Sequence, residues 1–273
     1  MKVLIFGGKG YFGGKFKEIF PDALSPETDI SCPSDVAKVL DAEKPDVVIN
    51  AAGKTGRPNV DWCEDHKPET LRSNVTGPIV LLEACTKRSI YWVQMGTGCV
   101  YTGDKGGKGF SEEDPPNFSG SFYSLSKAWM EQILREFPVL QLRLRMPFDN
   151  TPHDRNLITK LTKYSRVIDV QNSLTYLPDF LRAAKMLIEK RKTGIYNITN
   201  PGSLSPYQVM ELYREIVDPK HTFTKLSLTE LPTQVKAGRS NCTLSTDKLE
   251  REGVTMMPVN EAMRRALESI ARA

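Results

Sequence analysis

The chain has 273 residues, 40% of them hydrophobic and 26% charged, with a formal net charge of +4. Such a length and composition exclude a mainly disordered chain and a small scaffold that needs disulfide or metal staples. The interspersed charges exclude a dedicated nucleic-acid face, and no apolar run approaches the ~18–20 residues of a membrane span.

The five cysteines, Cys32, Cys63, Cys85, Cys99 and Cys242, are odd in number and irregular in spacing. They fit neither a disulfide framework nor a zinc site. With no leader-like amino terminus, a cytoplasmic protein without a metal is expected.

Along the chain, apolar runs at 2–6, 46–50, 90–96 and 139–145 alternate with helical patterns at 10–20, 34–43, 66–88 and 121–136. Further strands are expected at 166–170 and 194–198, with a helix at 179–191 between them. From Ser203 the tail reads helical, over 205–216, 244–251 and 258–271. Strand–helix alternation predicts an α/β fold, a Rossmann-type doubly wound parallel sheet with a smaller, mainly helical carboxyl-terminal lobe. The expected division assigns 1–148 and 164–200 to a dinucleotide-binding domain, and 149–163 and 201–273 to a substrate lobe. In such folds ligands bind beyond the carboxyl ends of the strands. Chemistry is therefore sought just after each one.

After the first strand comes Gly7-Gly8-Lys9-Gly10-Tyr11-Phe12-Gly13, a GxxGxxG turn entering a helix. Its glycines allow a tight turn and close approach to a pyrophosphate, whose charge meets the helix amino terminus. The second strand is poorly marked. Asp29, with Ile30, or Glu27 occupies the place of a ribose-reading acid. No Lys or Arg occurs from Asp22 to Ala37, so a 2′-phosphate has only Lys9 nearby to favour it.

Tyr123 and Lys127 form a YxxxK pair on a predicted helix. Four residues is about one turn, so the two side chains share a face. An ammonium stabilises phenolate, and such a tyrosine can protonate a carbonyl under reduction. Thr97, at the end of a strand, can hydrogen-bond the same carbonyl.

Together these motifs resemble the extended short-chain dehydrogenase/reductases. Asn50-Ala51-Ala52-Gly53, Asn74-Val75-Thr76-Gly77 and the Tyr123–Lys127 pair are similar to the dTDP-4-dehydrorhamnose reductase branch. Thr55-Gly56-Arg57-Pro58-Asn59-Val60-Asp61-Trp62-Cys63-Glu64, Met95-Gly96-Thr97-Gly98-Cys99, Asn156-Leu157-Ile158-Thr159-Lys160 and Arg239-Ser240-Asn241 narrow the resemblance. They look like the bifunctional nucleotide-4-keto-6-deoxyglucose 3,5-epimerase/4-reductases, the rhamnose synthases. An arginine expected near the second strand in that family is missing here.

The resemblance implies a nucleotide-sugar substrate and NADPH or NADH, with NADPH favoured. Gly7, Lys9, Gly10, Tyr11, Phe12, Gly13, Asp29, Ile30, Asn50, Ala51, Ala52, Gly53, Asn74, Tyr123, Lys127 and Met146 would border the cofactor. Thr97, Tyr123 and Lys127 would carry the reduction. Cys99 and Lys160 would exchange the protons at C3 and C5, which the C4 ketone acidifies. Cys99 lies two residues past Thr97, so both would point to one side of a strand. A thiolate is a competent base when its pKa falls. Thr55, Arg57, Asn59, Gly98, Asn156, Asn172 and Arg239 are the further substrate candidates. Arg239 suits a diphosphate, and packing is the expected role of Trp62.

Two alternatives stay open. One is a 4-reductase without epimerase activity. The other is a non-catalytic NADP-binding regulatory subunit, against which the intact Thr97, Tyr123 and Lys127 argue. No nucleic acid or membrane partner is expected, and a homodimer is the candidate assembly.

Overall fold

A computed structural model describes residues 1–233 and 235–272. In chain order its elements begin β1 (Val3–Phe6), α1 (Tyr11–Ile19), α2 (Pro33–Glu43), β2 (Val47–Asn50), α3 (Trp62–Asp65) and α4 (Lys67–Leu71). A π-turn (Arg72–Thr76) leads into α5 (Gly77–Lys87), β3 (Tyr91–Thr97), α6 (Phe122–Arg135), β4 (Leu140–Leu144), β5 (Pro147–Phe148) and α7 (Leu157–Leu161). Next come β6 (Arg166–Ile168), β7 (Thr175–Tyr176), α8 (Leu177–Glu189), β8 (Gly194–Asn197), α9 (Pro206–Ile216), β9 (Thr224–Leu226), α10 (Asp247–Arg251) and α11 (Val259–Arg272).

The main sheet has the order β1-β2-β3-β4-β8. β1 pairs in parallel with β2, and β2 with β3. The poorly marked second strand is reduced to a single parallel bridge between Leu24 and Leu4, on the free side of β1. Pro21 and Pro26 flank it; they lack an N–H and end the pairing early. The chain thus leaves β1 to one side for Leu24 and to the other for β2. This makes the carboxyl end of β1 a topological switch point.

The chain separates into two compact units. The first comprises Met1–Val100, Phe118–Arg143 and Ala184–Tyr196. Its core joins Leu4, Phe6 and Val48 of the sheet to Val36 and Leu40 of α2, Leu81 of α5 and Leu134 of α6. The 66–88 helix expected from periodicity is broken into α4, the π-turn and α5.

The second unit comprises Tyr101–Asn117, Leu144–Ala183 and the chain from Asn197. Phe148, Ile158, Tyr176, Val209, Met263 and Leu267 are among its core side chains. Ser205 and Gln208 close a capping box at the start of α9, with Pro206 in the first turn. This division differs from the expected boundaries: 101–117, 144–148, 164–183 and 197–200 fall in the second unit. The physical reason is strand pairing. β6 pairs with β9, β5 with β7, and Gly103 and Phe110 bridge to Cys242 and Leu244. The 166–170 strand therefore lies outside the main sheet.

Candidate active site

The glycine turn is built for close backbone approach. Gly7 has φ +79°, and a Cβ there would lie 2.5 Å from the Ala52 nitrogen. A Cβ at Gly13 would lie 2.3 Å from the Gly7 oxygen. Gly10 precedes α1 with no side-chain cap, and no acidic residue occupies the first turn. The amino terminus of α1, the positive end of its dipole, thus meets this turn with no carboxylate beside it. Ala51 and Ala52 form the adjoining wall. This narrow cradle, where the glycines carry no Cβ, lies at the switch point and fits a dinucleotide pyrophosphate.

The neighbouring acids are differently used. Lys9 forms an ion pair with Glu27 on the surface. The Asp29 carboxylate accepts from the Ser31 hydroxyl at 2.7 Å and from the Ser31 N–H at 2.9 Å. These bonds, with the Arg72 charge, hold it below the usual carboxylate range. Ile30 is also expected to border the cofactor. Its side chain is core, and a Cβ on Gly77 would lie 2.5 Å from it. Only the Ile30 main chain is left for a cofactor.

The pair on α6 is held from several sides. Ser121 caps the helix by accepting the Ser124 N–H at 3.1 Å. The Glu64 carboxylate accepts the Phe122 N–H at 2.7 Å, next to Tyr123. A carboxylate on the first turn also meets the positive end of the helix dipole. Glu64 closes the distinctive 55–64 segment, so that segment braces the helix that carries the tyrosine. Gly56 has φ +70° in that loop, where a Cβ would meet the Asn59 oxygen at 2.3 Å. Asn59 itself accepts the Asp61 N–H at 2.8 Å, and Trp62 stacks on His66 at 3.9 Å. Arg57 is exposed and Thr55 half-buried.

Lys127 donates to the Met95 carbonyl at 2.6 Å. Burial lowers its pKa from 10.5 to about 8, against the opposing pull of Glu131 one turn away. Glu131 is itself gripped by Arg143 of β4, with N–O distances of 3.0 and 2.8 Å. Breaking such a buried pair by removing one partner costs about 3–5 kcal/mol. Thr97, buried at the end of β3, accepts the Cys99 N–H at 3.1 Å. That bond curls the chain so that Thr97, Gly98 and Cys99 form one corner, with Cys99 partly exposed.

Asn74 sits in the π-turn, and π-distortions often mark functional positions. Its amide accepts from the Lys54 N–H at 2.8 Å and donates to the Lys54 carbonyl at 2.9 Å. It also donates to Ser126, whose hydroxyl donates to the Tyr123 carbonyl. Asn74 thus fastens the loop after β2, near Gly53, to α6.

In the second unit the expected ligands divide. Asn172 is fully buried, and its amide is consumed by protein. Its oxygen accepts from both Arg145 and the Cys242 N–H, and its nitrogen donates to Val170 and Asn241. These bonds anchor the 239–244 segment. Asn156 is engaged by protein likewise. Fully buried, it caps α7 at Ile158 and donates to the Asp149 and Thr151 carbonyls. Lys160, on the last turn of α7, is half-buried. Arg239 is half-buried and donates to the Ala237 carbonyl at 2.7 Å. Met146 follows β4 with φ 42°, a left-handed conformation uncommon outside glycine.

Sequence reasoning missed Gln94, Glu64 and Glu131. The one visible signal was an amide at 94 inside an apolar strand.

The family model described as the RmlD substrate binding domain matches residues 1–272. A bifunctional dTDP-4-dehydrorhamnose 3,5-epimerase/dTDP-4-dehydrorhamnose reductase of Arabidopsis thaliana is 38% identical over 95% of this chain and 90% of its own. A trifunctional UDP-glucose 4,6-dehydratase/3,5-epimerase/reductase of the same plant is 38% identical over 96% of this chain, which spans 41% of that protein. The crystal structure of the L780 UDP-rhamnose synthase of Acanthamoeba polyphaga mimivirus matches with a TM-score of 0.95 at 32% identity, over 99% of each chain. With a family match of this extent over that glycine cradle and Tyr–Lys helix, the chain belongs to the RmlD substrate-binding-domain family.

Proposed function

We propose that the chain is an NAD(P)H-dependent reductase of a nucleotide-linked 4-keto-6-deoxy sugar that also epimerises C3 and C5, yielding an NDP-L-rhamnose-type product. The observation that supports this is Tyr123 and Lys127 on one helix, with Lys127 bonded to the Met95 carbonyl two residues before Thr97. The relatives' names support the reduction most broadly and the epimerisation through the bifunctional relative.

The glycine cradle, Ala51, Ala52 and the main chain near Ile30 would hold the dinucleotide. When bound, it supplies the hydride. Tyr123 donates the proton that the C4 oxygen needs, with Lys127 stabilising the phenolate left behind. The Thr97 hydroxyl orients the carbonyl. Cys99 is the base that removes a proton next to the ketone, and Lys160 is the group that returns one. The charged Lys127 is lost as pH rises through about 8, so reduction fades above that pH.

NADPH is the favoured cofactor. Lys9, at the turn, is its candidate 2′-phosphate contact, although Glu27 engages it here. Arg57, Asn59 and Arg239 remain the candidate sugar and diphosphate contacts. A second copy of the chain is the candidate assembly partner. Trp129, Ile133 and Phe137, exposed on and after α6, give it an apolar face to cover. Light scattering of the purified chain tests that assembly.

The functional test is oxidation of NADPH or NADH with UDP- and dTDP-4-keto-6-deoxyglucose. Turnover with either sugar supports the enzyme reading. Cofactor binding without turnover of any keto sugar would favour a regulatory subunit.

A further inference from the structure

β3 lies inside a sheet where both neighbours are strands, a setting that favours apolar side chains. Gln94 nevertheless sits in its middle, 3% exposed. A buried primary amide costs about 1–3 kcal/mol unless its groups are paired. Here both ends are paired. The oxygen accepts from Asn50 Nδ2 at 2.8 Å, and the nitrogen donates to the Met95 carbonyl at 3.1 Å. The parallel register sets Asn50 beside Gln94. Asn50 Oδ1 in turn accepts the Ala52 N–H at 3.1 Å. Ala52 is the wall against which Gly7 is packed. The Met95 carbonyl also receives Lys127 Nζ.

A hydrogen-bonded chain therefore runs Ala52, Asn50, Gln94, Met95 carbonyl, Lys127. It joins the wall of the glycine cradle to the ammonium of the Tyr–Lys pair. We propose that Gln94 is a positioning residue for that pair: it shares the Met95 carbonyl with Lys127 and ties this carbonyl, through Asn50, to the Ala52 backbone. The proposal rests on reading Tyr123 and Lys127 as the reducing pair.

The physical argument is about lone pairs. A carbonyl oxygen has two. Gln94 engages the oxygen from one side and Lys127 from the other, which fixes where the ammonium sits. Without the amide, the oxygen turns wholly to the ammonium and holds its charged form better. The ammonium then has less to offer the tyrosine. The other charged and titratable groups about Lys127 are Glu131 and Tyr123 on α6, and Arg143 on β4, which engages Glu131. The Gln94 amide bonds to Asn50 and the Met95 carbonyl and to none of these groups.

The test uses Gln94→Met, which keeps length and removes the amide. In single-turnover reduction of the keto sugar, hydride transfer should slow about tenfold, a fraction of what a positioned acid supplies. NADPH affinity and substrate KM should stay within about twofold. Gln94→Met combined with Lys127→Met should be no slower than Lys127→Met alone, since Gln94 acts through that lysine. Multiplying losses would overturn the proposal.

A second readout needs no substrate. Lysines of the intact protein are labelled by reductive ¹³C-methylation, and the Lys127 resonance is assigned by its absence in Lys127→Arg. Its titration midpoint should rise by about half a pH unit or more in Gln94→Met. An unmoved midpoint would overturn the proposal. A moved midpoint in a protein that reduces no keto sugar would sink the reductase reading and leave the coupling standing. If Gln94→Met does not fold, Gln94→Glu replaces it. The carboxylate still accepts from Asn50, and its charge should raise the same midpoint; an unchanged midpoint there would again overturn the coupling.

Discussion

The buried polar side chains of the two units end in different places. In the first unit, Asn50 and Gln94 lead to the Met95 carbonyl that also receives Lys127, Asn74 leads through Ser126 to the Tyr123 carbonyl, and the charge of Glu131 acts on Lys127. In the second, Asn156, Asn172 and Arg145 end on backbone carbonyls, helix starts and loop amides. Both sets satisfy the rule that a buried polar group must be paired. The difference lies in the last partner. A network whose last carbonyl also receives a titratable side chain positions chemistry. One whose last partners are a helix start and loop backbone holds a loop in place.

The largest effect expected from this contrast is at Tyr123. Tyr123→Phe should cut reduction by about 10²–10⁴-fold, the share of a positioned acid. Fluorescence titration should find NADPH binding near normal. Retained turnover would remove Tyr123 from the mechanism.

At Cys99, Cys99→Ala should stop solvent deuterium entering C3 and C5 while a pre-epimerised substrate is still reduced. Equal loss of both activities, measured on the same preparation, would make Cys99 structural.

Asn172 tests the other side of the comparison. Asn172→Ala removes an acceptor from the buried Arg145 guanidinium and from the Cys242 N–H. Chemical denaturation should show a loss of about 2–3 kcal/mol. A raised substrate KM with unchanged stability would restore Asn172 as a sugar contact and blur the contrast.

Lys127 gives a pH signature. Its pKa falls from 10.5 to about 8 on folding, so between those values the unfolded chain binds more protons. Stability should therefore rise with pH across that window, relative to Lys127→Met. Parallel stability profiles of the two proteins would show that the lysine is not buried as described.

The smallest effect is at Glu64. Glu64→Gln keeps an acceptor for the Phe122 N–H but loses the charge at the start of α6, worth about 0.3–1 kcal/mol. Thermal melts at low salt should resolve it.

The parts legible in the sequence were those with local cause. The β1 run, the GxxGxxG turn and the Tyr123–Lys127 spacing each declare themselves within a dozen residues. The break at 72–76 did not, because Asn74 is held by Lys54, twenty positions earlier. The edge strand shrank to Leu24 between two prolines, which left Asp29 to its own turn with Ser31. Asn172 is a ligand candidate because it follows a strand and Asn156 through the resemblance of its segment, and neither local sequence shows the buried protein partners that engage them. Gln94 stood out only as an amide inside an apolar strand, and its partner Asn50 lies 44 positions earlier.

The most direct test of the central claim is the isotope pattern of the product made in D₂O from UDP- or dTDP-4-keto-6-deoxyglucose with NADPH. The account predicts a reduced C4 with deuterium at both C3 and C5, and loss of that deuterium in Cys99→Ala. A reduced product with protium at C3 and C5 would contradict it and leave a 4-reductase alone.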